Sequence, residues 1–256
     1  MFLSRSYLEI GSSWIPFVMS VSLTSLLLST GNYLSALDSF VGMPVMFYTS
    51  LLSFLYVLLF WIRDALRDYV VGVCPSSYTS LSLLFVAIVI FSEVMVFFAV
   101  FWVLFWFALI PNVWNGLTWP VVGVSWLDAF GLPLFGTTLL LTSAVFVTWS
   151  HGSSSSSSSK SSLLTAILLG IVFLVVQISE YHSLTYVISS STYGAIFFVS
   201  TGLHGLHVLV GIILLALALL RLMVSHVVVM EGSIWYWHFV DYVWLLLFSS
   251  AYLLVS

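Results

Sequence analysis

Charge is what this sequence lacks. Only 5% of its 256 residues are Asp, Glu, Lys or Arg, against 62% hydrophobic, whereas a water-soluble fold of this size carries about a quarter charged residues. A solvated globular domain is therefore excluded, and the chain belongs in a bilayer. Basic residues are especially scarce, five Lys and Arg in all. That is too few for a nucleic-acid interface, and a net charge of −4 drawn from so few groups describes no partner. Cysteine is reduced to Cys74, which excludes a disulfide framework and a paired-cysteine metal site. No segment is repeated along the chain, so an inverted-repeat transporter has no support. The opening MFLSRSYLEIGSSW lacks the Arg-rich, acid-free pattern of a transit peptide and a small-residue cleavage site. The first apolar helix is expected to direct insertion.

What the chain has is long apolar runs. About 20 such residues cross a bilayer, and the runs between charges give seven spans, near 15–37, 41–61, 80–109, 132–149, 163–178, 194–220 and 234–254. The connections carry turn and breaker residues, as in GNYLSALD, RDALRDYVVGVCPSS and PNVWNGLTWPVVG. Between the fourth and fifth spans, the run Ser153 to Ser159 reads as a flexible polar loop. With seven spans, Arg5, Arg63, Arg67, Lys160 and Arg221 all fall on the side of the N-terminus. This one-sided bias fixes the orientation and supports an odd number of spans. The C-terminus then faces the opposite side.

Few ionisable groups lie within the spans, so each is a candidate. Glu93 stands in the third span, roughly 20 Å from its start at 1.5 Å per residue and so near mid-bilayer. An ionisable group there is by default functional and turned toward protein or water; the alternative is a protonated carboxyl making one interhelical hydrogen bond. No lysine or arginine can reach that depth, and a neutral carboxyl is the expected resting form. In STGLHGLHVLVG, His204 and His207 share one helix face, and Gly202 and Gly205 are expected to admit a neighbouring helix closely. A bis-histidine haem needs ligands from opposed sides, and no second helix offers a histidine pair. Neutral imidazoles bonded across an interface are expected. In WYWHFVDYVW, His238 and Asp241 can bond one turn apart, beside Trp237 and Tyr236 of an interfacial aromatic belt. In WIRDALRD, Arg63 and Arg67 alternate with Asp64 and Asp68. They form either a solvated helix end with internal ion pairs or, with Trp61, Arg221 and His226, a site for a phosphate or an anionic lipid headgroup.

The blocks FSEVMVFFAVFWVLF, TWSH, QISEYHSLTYVISSSTYGAIFFVSTGLHGLHVLVG and WYWHFVDYVWLLLF, together with WIRDALRD, resemble subunit III of cytochrome c oxidase, in matching order over residues 45–250. The resemblance implies an all-α polytopic membrane protein forming one subunit over 1–256. Its helices one and two, about 15–68, stand apart from helices three to seven, about 80–254, across a lipid-filled cleft. It implies a subunit with no redox centre, bound beside subunit I together with subunit II and accessory subunits, with haem a and copper on those partners and structural phospholipids bound here. Such a subunit supports electron transfer from cytochrome c to oxygen, proton uptake and proton pumping in the mitochondrial inner membrane, with its N-terminus in the matrix and its C-terminus in the intermembrane space.

By the same resemblance Glu93 matches the family's intramembrane glutamate; His204, His207, His238 and Asp241 stand beside it as further candidate proton-linked groups. Trp61, Arg63, Arg67, Arg221 and His226 match lipid-contacting positions. The chain departs from the family at Trp106, where a histidine is common, in the serine run after TWSH, and at its end, AYLLVS. The residues agree with metals on partners: a haem–copper centre needs several buried histidines and a dinuclear copper site two cysteines, against His204, His207, His238 and the lone Cys74. Two rival classes are a self-contained proton or ion translocator, which predicts flux from the isolated chain, and a haem-binding membrane cytochrome, which predicts a Soret band.

Overall fold

A computed structural model describes residues 13–35, 42–70, 78–110, 118–119, 128–153, 156–222 and 227–254. Seven α-helices run through them: α1 (Ile15–Ser35), α2 (Gly42–Val70), α3 (Tyr78–Leu109), α4 (Leu132–Gly152), α5 (Ser156–Ser183), α6 (Thr192–Leu222) and α7 (Val227–Leu247), the last continuing into a π-helical turn, Phe248–Leu253. No strand occurs among the described residues. Helix is what this composition requires, because in hydrocarbon every backbone N–H and C=O must find its partner within the segment. The many hydroxyls obey the same rule. Thr24, Thr142, Thr148 and Ser179 each donate to the carbonyl four residues back, which hides a polar group inside an apolar helix.

Six of the helices, all but α7, are long and apolar enough to cross a membrane. The expected seventh span is there as a helix, but Glu231, His238, Asp241 and its tryptophans and tyrosines hold its hydropathy down. Those groups are tolerated because α7 is solvated by protein: Ser233, Tyr236, Trp237, Val240, Asp241 and Trp244 are all buried. Boundaries shift as well. α2 continues past Trp61 through Arg63 and Arg67 to Val70. The serine run is not a loop in its second half, for α5 begins at Ser156 and reaches Ser183 rather than ending near 178. Its hydroxyls satisfy themselves on the helix, Ser162 on the Ser158 carbonyl at 2.9 Å, and Ser159 caps the end of α4 by donating to the Ser150 carbonyl at 2.9 Å.

The described chain divides into two compact units, Met1–Tyr78 and Thr79–Ser256. In the first, α1 and α2 pair through a hydroxyl contact, Ser29 Oγ to Ser50 Oγ at 2.6 Å, and a stacked pair, Tyr33 on Phe47, with centroids 5.4 Å apart. Most of its large apolar side chains, among them Leu28, Leu52 and Leu59, face outward.

In the second unit α4, α5, α6 and α7 close a ring, α4 against α5, α5 against α6, α6 against α7 and α7 against α4. Its keystone is Trp237, fully buried, whose indole N–H donates to Ser143 Oγ on α4 at 3.0 Å. The ring seats on two glycines: a Cβ at Gly170 of α5 would lie 2.7 Å from it, and one at Gly211 of α6 2.8 Å. Without a hydrophobic drive in lipid, such close packing of small residues is what holds helices together. Gly202 and Gly205, expected to play this part, have no atom within 4 Å of their Cβ positions. The close approach is six and nine residues farther along α6, at Gly211. α3 joins the ring through side chains: Phe97 is buried against His207 and Phe239, with centroids 5.0 and 6.1 Å away.

Candidate functional site

Two residues 114 apart in sequence make the polar contact between α3 and the ring. His207 Nε2 lies 3.0 Å from Glu93 Oε2, and His207 Nδ1 lies 2.7 Å from the Leu203 carbonyl one turn back. A carbonyl oxygen can only accept, so Nδ1 carries a proton. Nε2 then has two states. It accepts from a protonated Glu93 carboxyl, or it carries that proton and faces a carboxylate. Both are neutral overall and differ only in where one proton rests on a single hydrogen bond. The pair therefore meets the bilayer's bar on net charge without lysine or arginine, and the partner that Glu93 lacks on its own helix is a histidine from another.

Aromatic rings pack on the imidazole of this pair, and its carboxyl faces a groove. Phe97 packs edge-on against the imidazole at 5.0 Å, and Tyr236 of α7 stacks on it with centroids 6.4 Å apart. The His207 side chain is 11% exposed and that of Glu93 32%. Glu93 looks into an apolar groove of about 540 Å³ between α3, α6 and α7, lined by Phe85, Val89, Leu206 and Val210.

His204, one turn before, does different work. It is buried, its Nε2 donates to the Val240 carbonyl at 3.3 Å, and Nδ1 has no partner. A second proton would place an uncompensated charge in the core, so this ring is a neutral packing group, tilted against Trp244 with centroids 4.9 Å apart. The rings of His204 and His207 thus serve different ends although they share a helix face.

His238 and Asp241 do not bond each other. His238 Nε2 meets Thr148 Oγ1 of α4 at 3.3 Å, while both Asp241 carboxyl oxygens are buried without a partner. The α4 neighbour, invisible to spacing along α7, takes the imidazole. Both residues line a groove of about 490 Å³ on the α4–α7 seam. Toward the end of that seam, His151 Nδ1 and Glu231 Oε1 stand 3.5 Å apart.

Among the headgroup candidates, the Arg63 guanidinium lies 2.8 Å from Asp64 Oδ1 and 4.3 Å over the Phe60 ring. Trp61 and Arg67 are exposed on the same helix. Arg221 is in the last turn of α6, and His226 lies outside the described residues. Among the described residues, no three of His, Cys, Asp and Glu converge as a metal-binding group. One buried acid escapes the sequence reading. Glu180, 2% exposed, sits in the last turns of α5, with Gln177 Nε2 donating to its Oε2 at 3.2 Å. Ending the fifth span at 178 hid it, although Gln177 and Glu180 one turn apart were the available signal.

A family model described as cytochrome c oxidase subunit III matches residues 6–256. The cytochrome c oxidase subunit 3 of Triticum aestivum is 37% identical over 246 residues, 93% of this chain and 92% of the relative. That of Paracentrotus lividus is 38% identical over 220 residues, covering 82% and 84%. That of Branchiostoma lanceolatum is 42% identical over 202 residues, covering 75% and 77%.

Proposed function

The chain belongs to the cytochrome c oxidase subunit III family, and we propose that it serves such an oxidase in the mitochondrial inner membrane as a subunit without a redox centre of its own. In this reading subunit I, its direct partner, carries the haem a and copper chemistry with subunit II. This subunit stabilises that partner and sustains proton uptake during turnover. α7 crosses the bilayer as the seventh helix, since its 21 residues span about 31 Å at 1.5 Å per residue and its polar side is met by α4 and α6. The N-terminus lies in the matrix and the C-terminus in the intermembrane space.

The observation that carries the proposal is the 3.0 Å contact of Glu93 with His207. A carboxyl and an imidazole that share one proton, both held by packing, form a proton-buffering group at membrane depth that needs no net charge. His238 and Asp241 are proposed as lesser proton-linked groups on the α4–α7 seam. Trp61, Arg63, Arg67, Arg221 and His226 are proposed to hold anionic headgroups of structural phospholipids, an arginine–phosphate bond being worth roughly 1.5–3 kcal/mol. For Arg63, a phosphate must compete with Asp64, which already accepts from its guanidinium.

The test is the assembled oxidase carrying Glu93→Gln. An interhelical hydrogen bond in a membrane protein averages about 0.6 kcal/mol, too little for its loss to prevent assembly. Haem content is therefore expected to be unchanged, while proton-linked turnover or its endurance changes.

A further inference from the structure

Three helices each bring a pair of residues, three or four apart and so on one face, to the surroundings of the Glu93–His207 contact. α3 brings Glu93 and Phe97, α6 brings His207 and Gly211, and α7 brings Tyr236 and Phe239. Phe97 and Phe239 meet the imidazole edge-on, at interplanar angles of 63° and 75°. Of these three rings Tyr236 alone lies nearly parallel to it, at 15° with centroids 6.4 Å apart, the offset-stacked arrangement of aromatic pairs. Glycines place that ring. Its Cδ1 lies 3.7 Å from the Cβ position of Gly211, one turn beyond His207, so it rests against α6 where a side chain is missing. One turn earlier on α7, Gly232 lets the helix come close to α3, a Cβ there lying 3.3 Å from Val86. Phe239 packs on the Tyr236 ring at 6.0 Å, and Tyr236 is buried.

His207 needs such a wall. Its Nδ1 donates to the Leu203 carbonyl at 2.7 Å, but within α6 that same carbonyl already accepts the His207 backbone N–H. The helix therefore does not depend on the side-chain bond, and the imidazole can leave it by turning about Cβ–Cγ. Turning also swings Nε2 out of line with Glu93 Oε2, 3.0 Å away, and hydrogen bonds weaken steeply as they bend. The same motion drives an edge of the imidazole toward the Tyr236 face. A parallel neighbour thus opposes the rotation that breaks the proton-sharing bond.

We propose that Tyr236 is the positioning residue of the Glu93–His207 pair: the face of its ring fixes the plane of the imidazole so that Nε2 meets the carboxyl, and its hydroxyl takes no part. This role rests on the proton sharing proposed above, and it gives α7 a part in a contact whose polar atoms come from α3 and α6.

Infrared spectroscopy of the assembled oxidase tests the role through the carboxyl signal of Glu93, identified by its loss in Glu93→Gln whichever side of the hydrogen bond holds the proton. His207→Gln gives the frequency of that signal when the imidazole is absent. Tyr236→Phe, which keeps the ring face, is expected to leave the signal at the wild-type frequency. Tyr236→Leu is expected to shift it toward that of His207→Gln at unchanged haem content. Should the leucine variant not assemble, Tyr236→Met, unbranched and without a planar face, takes its place. A Glu93 signal unmoved in the variant that lacks the ring overturns the proposal, as does an equal shift in Tyr236→Phe, which would assign the effect to the hydroxyl. Turnover is read separately: a shifted signal with wild-type turnover upholds the positioning role and counts against the use of this proton by the oxidase.

Discussion

At the scale of single residues, the two histidines of STGLHGLHVLVG part company because their second nitrogens find different surroundings. His207 holds a backbone carbonyl with one nitrogen and a carboxyl with the other. His204 holds a carbonyl with one, and the other is enclosed. Substitution separates these roles. His207→Gln cannot share a proton with Glu93, so the oxidase carrying it is expected to reproduce the turnover defect of Glu93→Gln with haem content intact. The double variant is expected to be no worse than either single one, because both remove the same hydrogen bond. His204→Ala instead opens a hole beside Phe173 and Trp244, and large-to-small core changes cost about 2–5 kcal/mol. Its expected signature is loss of the subunit from the purified complex. Additive turnover defects for Glu93→Gln and His207→Gln would argue against a shared proton.

At the scale of helices, the ring of α4 to α7 depends on how closely Trp237 approaches α5 and α6. Gly170→Ala and Gly211→Ala place a methyl group 2.7 and 2.8 Å from the indole, and overpacking of this kind costs about 1–3 kcal/mol. Each is expected to lower the temperature at which the subunit dissociates from the oxidase. Gly202→Ala and Gly205→Ala, with open space at their Cβ positions, are expected to leave ring packing unchanged. A reversed order, measured by thermal dissociation followed on native gels, would contradict the packing described.

The helices themselves were readable from sequence because charge is so sparse that the gaps between charged residues are the spans. Packing was not. Helical spacing places Gly202 and Gly205 on one face but does not say which face meets a neighbour, and it cannot connect Glu93 to a histidine 114 residues away. The serine run misled because serine composition resembles a linker, whereas serine hydroxyls at the start of α5 bond to backbone carbonyls, Ser159 to Ser150 at the end of α4 and Ser161, just after the run, to Ser158 of its own helix.

At the scale of the whole molecule, the proposed orientation and lipid binding both rest on the few basic residues and are tested through them. A cysteine at Ser157, exposed near the start of α5, is expected to be labelled from the matrix side, and one at Phe130, exposed just before α4, from the opposite side. The reverse pattern would overturn the orientation. Arg221→Ala is expected to lower the phospholipid content of the purified oxidase, and unchanged lipid content would remove Arg221 from the headgroup site.

In the proposed function, Glu93 and His207 share a proton that the oxidase uses without its lying on the redox path. The measurement that reaches it most directly is turnover and proton-pumping stoichiometry of the Glu93→Gln oxidase, followed over repeated cycles at wild-type haem content. Normal assembly and haem absorbance are expected, with pumping or endurance falling below wild type as cycles accumulate. Turnover and stoichiometry matching wild type throughout would contradict it and leave Glu93 as a hydrogen bond that fastens α3 to the ring.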